Sequence, residues 1–166
     1  MKMAKSIVKK HEHTFQKEEI CAIREGLLQW YDQHRRCLPW RGDSPPYISL
    51  SERQETINEN QQIKNVSAYG TWVSEIMCQQ TRVETVIDYY CKWMEKFPTV
   101  ESLAQADPEA VNAAWAGLGY YRRARMLHAG AKFVVEQYGG KLPKDIEKLK
   151  SIPGIGPYTA GYTYLS

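Results

Sequence analysis

The chain has 166 residues, 43% of them hydrophobic and 25% charged, with a mean hydropathy of −0.55 and a formal net charge of +3. That is the length of one ordinary domain with enough apolar material for a core, and no apolar run is long enough to cross a membrane as a helix. The opening MKMAKSIVKK is basic but lacks the apolar stretch of a secretory signal, and Cys21, Cys37, Cys78 and Cys91 form neither a C-x-x-C pair nor a metal-ligand spacing, so they read as reduced intracellular thiols.

Residues 1–13 are expected to form a basic tail. Between Thr14 and about Arg36, the recurrence of Ile20, Ile23, Leu27 and Tyr31 predicts an amphipathic helix, the main part of an N-terminal segment spanning 14–41. Residues 43–68 open on Pro45-Pro46 and are rich in Glu, Gln and Asn, the composition of a long, disordered surface insertion.

Residues 71–97, TWVSEIMCQQTRVETVIDYYCKWMEKF, read as one long helix, and a break near Gln80-Thr81 would change the angles that follow. Trp72, Ile76, Val83, Ile87, Tyr90, Met94 and Phe97 then share a face, with Glu75 and Gln79 against or inside it. A carboxylate in that setting has its pKa raised, because burial disfavours the charged form, and this is the profile of a general acid. The alternative is a Glu at the edge of the stripe that reaches water or pairs with Arg82.

Asp107-Pro108-Glu109 marks a helix start, with a capping carboxylate, a proline in the first turn and an acid at the positive end of the dipole. Val111, Ala114 and Trp115 follow on that helix. No acid lies between Glu109 and Glu136, whereas Arg122, Arg123, Arg125, His128 and Lys132 fall inside the window. That pattern is either a solvated basic face or a surface turned towards phosphates. Leu127, Ala131, Val134 and Tyr138 stripe the next helix up to Gly139-Gly140, and Ile146, Leu149 and Ile152 stripe a short one. No stretch sustains an alternation of period two, so the expected fold is all-α.

Pro153-Gly154-Ile155-Gly156-Pro157 joins two helical stretches within the closing motif, 151–166. The glycines admit positive φ and close backbone approach, and Pro157 opens a helix whose first amides can hold an anion such as a DNA phosphate. The same spacing also suits a plain tight turn between helices.

Taken together, LLQWYDQHRRCLPWR (27–41), WVSEIMCQQTRVETVIDYY (72–90), WAGLGYYRRARMLH (115–128) and IPGIGPYTAG (152–161) resemble the MutY-type adenine DNA glycosylases of the helix-hairpin-helix superfamily. The resemblance implies a six-helix domain over 69–166 and removal, in base-excision repair, of adenine mispaired with 8-oxoguanine or guanine in double-stranded DNA. By this likeness Glu75 matches the catalytic acid and Tyr158 a hairpin tyrosine that assists the cationic transition state. Arg36, Trp40, Arg41 and Cys78 match the base pocket, Gln80 and Tyr120 the side chains that wedge into the base stack, and Gly154, Gly156, Arg122 and Arg123 the phosphate contacts. Where endonuclease III-like lyases carry a Schiff-base lysine in the hairpin, Tyr158 stands here, so a monofunctional hydrolase is implied.

There are departures from the family pattern. Cys78 replaces a usual leucine, the 43–68 stretch replaces a short connection, and Tyr162-Thr163-Tyr164 is bulkier than the usual continuation. The resemblance also implies a catalytic aspartate, four cysteines holding a 4Fe–4S cluster, and a domain that reads 8-oxoguanine, none of which these 166 residues contain. The expectation is therefore a domain truncated before its cluster domain, with no metal ligand of its own and no activity when isolated. The alternatives are a non-catalytic DNA-binding isoform or an incomplete gene model. A monomer without membrane association is expected, resident in the nucleus, with mitochondrial residence left open.

Overall fold

A computed structural model of the chain describes residues 15–45, 47 and 66–164. The basic tail expected over 1–13 lies outside the described residues, as do residues 46 and 48–65 of the expected insertion. Every regular element among the described residues is helical, as the absence of a period-two pattern requires. The chain divides into two compact units at Arg35/Arg36.

In the first unit, α1 (Lys17–His34) starts on a capping box, in which Glu19 Oε2 accepts from the Gln16 amide at 2.8 Å. At its end the Trp30 and His34 rings stack with centroids 5.0 Å apart. No residue of α1 is buried, the apolar stripe included.

The second unit opens with a single 3₁₀ turn, Pro39–Arg41, behind which the buried Asp43 accepts from the Leu38 amide at 2.9 Å. The stretch expected to be one helix over 71–97 is two: α2 (Ala68–Cys78) and α3 (Val83–Lys96). α2 begins inside the expected insertion, because Ser67 caps it by accepting from the Gly70 amide at 3.0 Å. The break at 79–82 turns α3 about its axis, so Val86, Tyr90 and Trp93 are buried while Val83 and Ile87 are only half-buried.

A short helix with no expected counterpart comes next, and the three after it follow the expected punctuation. α4 (Val100–Ala104) leads to α5 (Pro108–Trp115), where Asp107 caps the helix at 2.7 Å from the Glu109 amide. α6 (Arg122–Tyr138) ends on Gly139 in the left-handed region, and α7 (Ile146–Lys150) is capped by Asp145. Ile146 proves exposed, since a helix of five residues has little face to bury beyond Leu149, and Ile152 is buried past its end. α8 (Pro157–Tyr164) completes the unit.

The core of this unit is built on Trp72, Trp93 and Trp115, all fully buried. Trp93 meets Trp115 edge-on at 5.5 Å, and its Nε1 donates to the Tyr69 hydroxyl at 3.2 Å, which donates in turn to the Phe97 carbonyl at 2.9 Å. α6 packs against α2, α4 and α5, and α8 against α2 and α7. α2 and α6 therefore form the frame to which the hairpin is fastened.

Candidate nucleic-acid interface

The hairpin is α7, the turn 151–156 and α8. Ile152 and Ile155 drive the turn into the core, and Gly154 takes φ +85°, where a Cβ would stand 3.1 Å from that of Met126. This is a position for glycine on both conformational and steric grounds. Gly156 has open space around it, and Pro157 begins α8, so the amides of the first turn have no partner within the helix. The expected turn between two helices, with Pro157 at the start of the second, is present.

Beside it lies a cleft of about 530 Å³ lined by Ile76, Gln79, Gln80, Tyr120, Arg122, Arg123, Met126 and Gly154. Five residues singled out in the sequence, Gln80, Tyr120, Arg122, Arg123 and Gly154, meet here from three separate segments. Two arginines and no acid line the cleft, so its potential favours a polyanion. Gln80 and Tyr120 are both exposed and both left-handed, with φ of 58° and 48°, in a region that costs a non-glycine residue about 1 kcal/mol or more. Such strain is held only where the surroundings over-determine it.

The surroundings are supplied by Arg123. Its Nη1 donates to the carbonyls of Ile76 (3.2 Å), Met77 (2.8 Å) and Gln79, and its Nη2 to Thr81 Oγ1 (3.1 Å) and to the carbonyls of Leu118 and Gly119 (both 3.3 Å). The half-buried guanidinium thus commits its Nη donors to protein acceptors, a different occupation from the phosphate contact expected of it. His128, another member of the basic window, is buried. Arg122, Arg125 and Lys132 are the exposed cations of that stretch.

Glu75 lies on α2, half-buried, and burial raises its pKa above the ordinary carboxylate range. It makes no hydrogen bond and no ion pair among the described residues, so the pairing with Arg82 that the sequence left open does not form. Burial pushes the Cys78 thiol up to about 11, with Glu75 raising it further while Arg36 and Arg123 lower it. Glu75, Cys78 and Arg36 are therefore electrostatic neighbours. Arg36 Nη1 also stands 4.0 Å from Glu84, and its carbonyl accepts from Arg41 Nη1 at 3.4 Å. Trp40 goes elsewhere: it meets Tyr90 edge-on at 5.3 Å and lines a second groove of about 340 Å³ with Tyr47 and Met94. Tyr158 is exposed on the first turn of α8, which packs on α2.

The expected cluster can be tested against the thiols present. Cys37 is buried, Cys78 and Cys91 are half-buried, Cys21 is exposed, and no group of three His, Cys, Asp or Glu among the described residues could hold a metal ion. These residues do not fit a cluster. The residues that sequence reasoning missed are Thr81 and Trp115, partners of Arg123, and Tyr89, whose hydroxyl donates to the Ala116 carbonyl at 3.0 Å. No local signal marks the reach of Tyr89 or of Arg123, whose turns are distant in sequence, whereas Thr81 lies within its turn and Trp115 Nε1 meets the Gly119 carbonyl four residues on.

The family model described as HhH-GPD superfamily base excision DNA repair protein matches residues 73–162. Adenine DNA glycosylase of Homo sapiens is 49% identical over 144 residues, covering 86% of this chain and 24% of the relative. Those of Rattus norvegicus and Arabidopsis thaliana are 48% and 44% identical, over 86% and 90% of this chain and 25% and 24% of theirs. The chain thus spans about a quarter of the length of these relatives. Among solved structures, a thermostable thymine-DNA glycosylase superposes with a TM-score of 0.67 at 21% identity, over 87% of this chain and 57% of that one. A non-covalent endonuclease III–DNA complex gives 0.62 at 16%, over 92% and 60%. These two likenesses show a shared helical fold, and the family match agrees with the hairpin and cleft. The chain belongs to the HhH-GPD superfamily of base excision DNA repair proteins.

Proposed function

We propose that the chain is the base-extruding and acid-bearing part of a monofunctional adenine DNA glycosylase acting, as a monomer, on adenine opposite 8-oxoguanine or guanine in duplex DNA. The observation that carries this reading is the pair of exposed left-handed residues, Gln80 and Tyr120, on one cation-lined cleft, with half-buried Glu75 on the helix leading into it. The hairpin amides and Arg122 hold phosphates, and the two wedges fill the space that a flipped nucleotide vacates, which offsets part of the unstacking cost. Arg36 and Cys78 flank the base beside Glu75.

Glu75 then donates its proton to the adenine ring. The glycosidic C1′–N bond breaks, its electron pair leaves with the neutralised base, and water adds hydroxide to the sugar cation while releasing a proton. Tyr158 stands by that cation. Burial, which raises the pKa of Glu75, favours the protonated form that an acid catalyst needs. Among the described residues no carboxylate lines the cleft to stabilise the cation, so these residues by themselves are expected to bind and unstack without substantial turnover.

The test is a pair of titrations, with A:8-oxoguanine and A:T duplexes, combined with single-turnover measurement of free adenine. Salt-sensitive binding that prefers the mispair, with at most a trace of adenine released and that trace lost in Glu75→Gln, is the expected result. Equal affinity for both duplexes would overturn the substrate assignment. Adenine release as fast in Glu75→Gln as in the wild type would overturn the role of Glu75.

A further inference from the structure

Gln79-Gln80-Thr81-Arg82 contains neither glycine nor proline, yet α2 stops there with Gln80 at φ 58°. The carbonyls of Ile76 and Met77, at the C-terminal end of α2, would lack helical partners. Both accept from Arg123 Nη1, so the terminator of α2 is a side chain more than forty residues away. Arg123 lies in the first turn of α6, where a cation opposes the dipole of its own helix. At the C-terminal end of α2 the same charge is favourable.

The other half of the fork holds the second turn. Nη2 reaches the Leu118 and Gly119 carbonyls, and the Gly119 carbonyl also accepts from Trp115 Nε1 at 2.9 Å. The guanidinium carbon stands 5.3 Å from the Trp115 ring centroid and 5.5 Å from that of Tyr120. One planar group therefore touches the backbone before Gln80, the Thr81 hydroxyl just after it, the backbone before Tyr120, and the Tyr120 ring itself.

We infer that Arg123 is a positioning residue which clamps the Gln80 turn and the Tyr120 turn into one rigid two-pronged wedge, rather than a phosphate contact. The inference rests on the wedge roles proposed above for Gln80 and Tyr120. Only a planar fork with donors on two sides serves both turns at once. A lysine carries the charge at one point and cannot reach both sets of carbonyls.

Two readouts test the clamp. The first needs no DNA: hydrogen exchange of the amides in 79–82 and 117–121. In Arg123→Lys both segments should exchange faster together, by about tenfold, while amides in the second half of α6 keep their protection. Unchanged exchange, or loosening of one turn alone, would overturn the clamp. The second readout uses a duplex with 2-aminopurine, a fluorescent adenine analogue, opposite 8-oxoguanine. Saturating wild-type protein should brighten it, and Arg123→Lys should bind yet lose most of the rise.

Arg123→Gln separates the clamp from a phosphate contact. A lost phosphate contact flattens the salt dependence of binding by about 0.9 in the log–log slope, as Arg122→Ala is expected to do. The clamp predicts an unchanged slope for Arg123→Gln, and a flattening of that size would overturn it. If both Arg123 variants fail to fold, Thr81→Val removes one of the guanidinium's bonds and should speed exchange in both turns by about threefold; no change would overturn the clamp. A wild-type protein that fails to brighten the probe refutes the proposed function, while the exchange measurement still decides the clamp.

Discussion

Gly130 sits on α6 under the hairpin, and a Cβ built there would lie 2.6 Å from the Pro153 carbonyl oxygen and 2.8 and 2.9 Å from two carbons of the Trp72 ring. Neither neighbour is the loose end of a side chain. One is the backbone next to Gly154, and the other is an indole with no exposed surface. Gly130→Ala must therefore push the hairpin and α2 off α6 by several tenths of an ångström. Such overpacking costs up to about 3 kcal/mol, and replacing glycine inside a helix returns about 1 kcal/mol, leaving a net loss of about 2 kcal/mol. For a chain of this size that lowers Tm by about 4–8 °C. Gly161, on α8, has nothing within 4 Å of where a Cβ would stand and serves as the matched control: Gly161→Ala should raise Tm by about 2–4 °C. Circular dichroism melts of the two variants decide the matter. Duplex affinity measured well below both melting temperatures should fall in Gly130→Ala, because the displaced segment carries the proposed phosphate grip. If Gly130→Ala melts with or above the wild type and binds equally well, the close-approach reasoning is wrong.

Three further outcomes follow from the geometry. The pKa of Glu75 is raised on folding, so its stabilising contribution is present while it is protonated, below the ordinary carboxylate range, and is lost as pH rises through the raised value. Glu75→Gln, always neutral, should therefore melt higher than the wild type at pH 7.5, with the gain vanishing near about pH 4; a lower melting point at pH 7.5 would refute the burial argument. Gln80→Gly relieves a left-handed residue and should stabilise by about 1 kcal/mol in urea unfolding while impairing the brightening of 2-aminopurine, and a destabilised variant would show that Gln80 is not strained. Tyr69→Phe orphans both the Trp93 indole N–H and the Phe97 carbonyl and should cost about 2 kcal/mol; a change below about 0.5 kcal/mol would show the buried network to be idle.

Local signals carried most of the fold. Asp107-Pro108 starts α5 and Gly139-Gly140 ends α6 because the capping groups are adjacent in sequence to the helix ends they serve. The hairpin was legible for the same reason. The end of α2 was not, since its terminator is Arg123, and an unbroken wheel over 71–97 puts the expected buried face of α3 about 70° away from Val86 and Trp93. The charge window found Arg123 but could not distinguish a guanidinium facing solvent from one facing carbonyls. His128 shows the same blindness, being counted with the basic face while packed inside. At the candidate site, Glu75 was placed correctly at the margin of burial by its neighbours on α2 alone, because the break falls after it. Trp40, by contrast, depends on how the 3₁₀ turn meets α3, and it lines the second groove. Its assignment to the base pocket came from the family resemblance, which carries residue identity but not placement.

The most direct test of the account is whether the two prongs take a base out of its stack. The measurement is 2-aminopurine fluorescence in an 8-oxoguanine-containing duplex and in a fully paired one, at saturating protein, for the wild type and for the double variant Gln80→Gly, Tyr120→Ala. The account predicts a rise in the mispaired duplex with wild-type protein, little rise in the paired duplex, and a rise largely abolished in the double variant that still binds. A saturated complex with wild-type protein in which the probe stays quenched would contradict it.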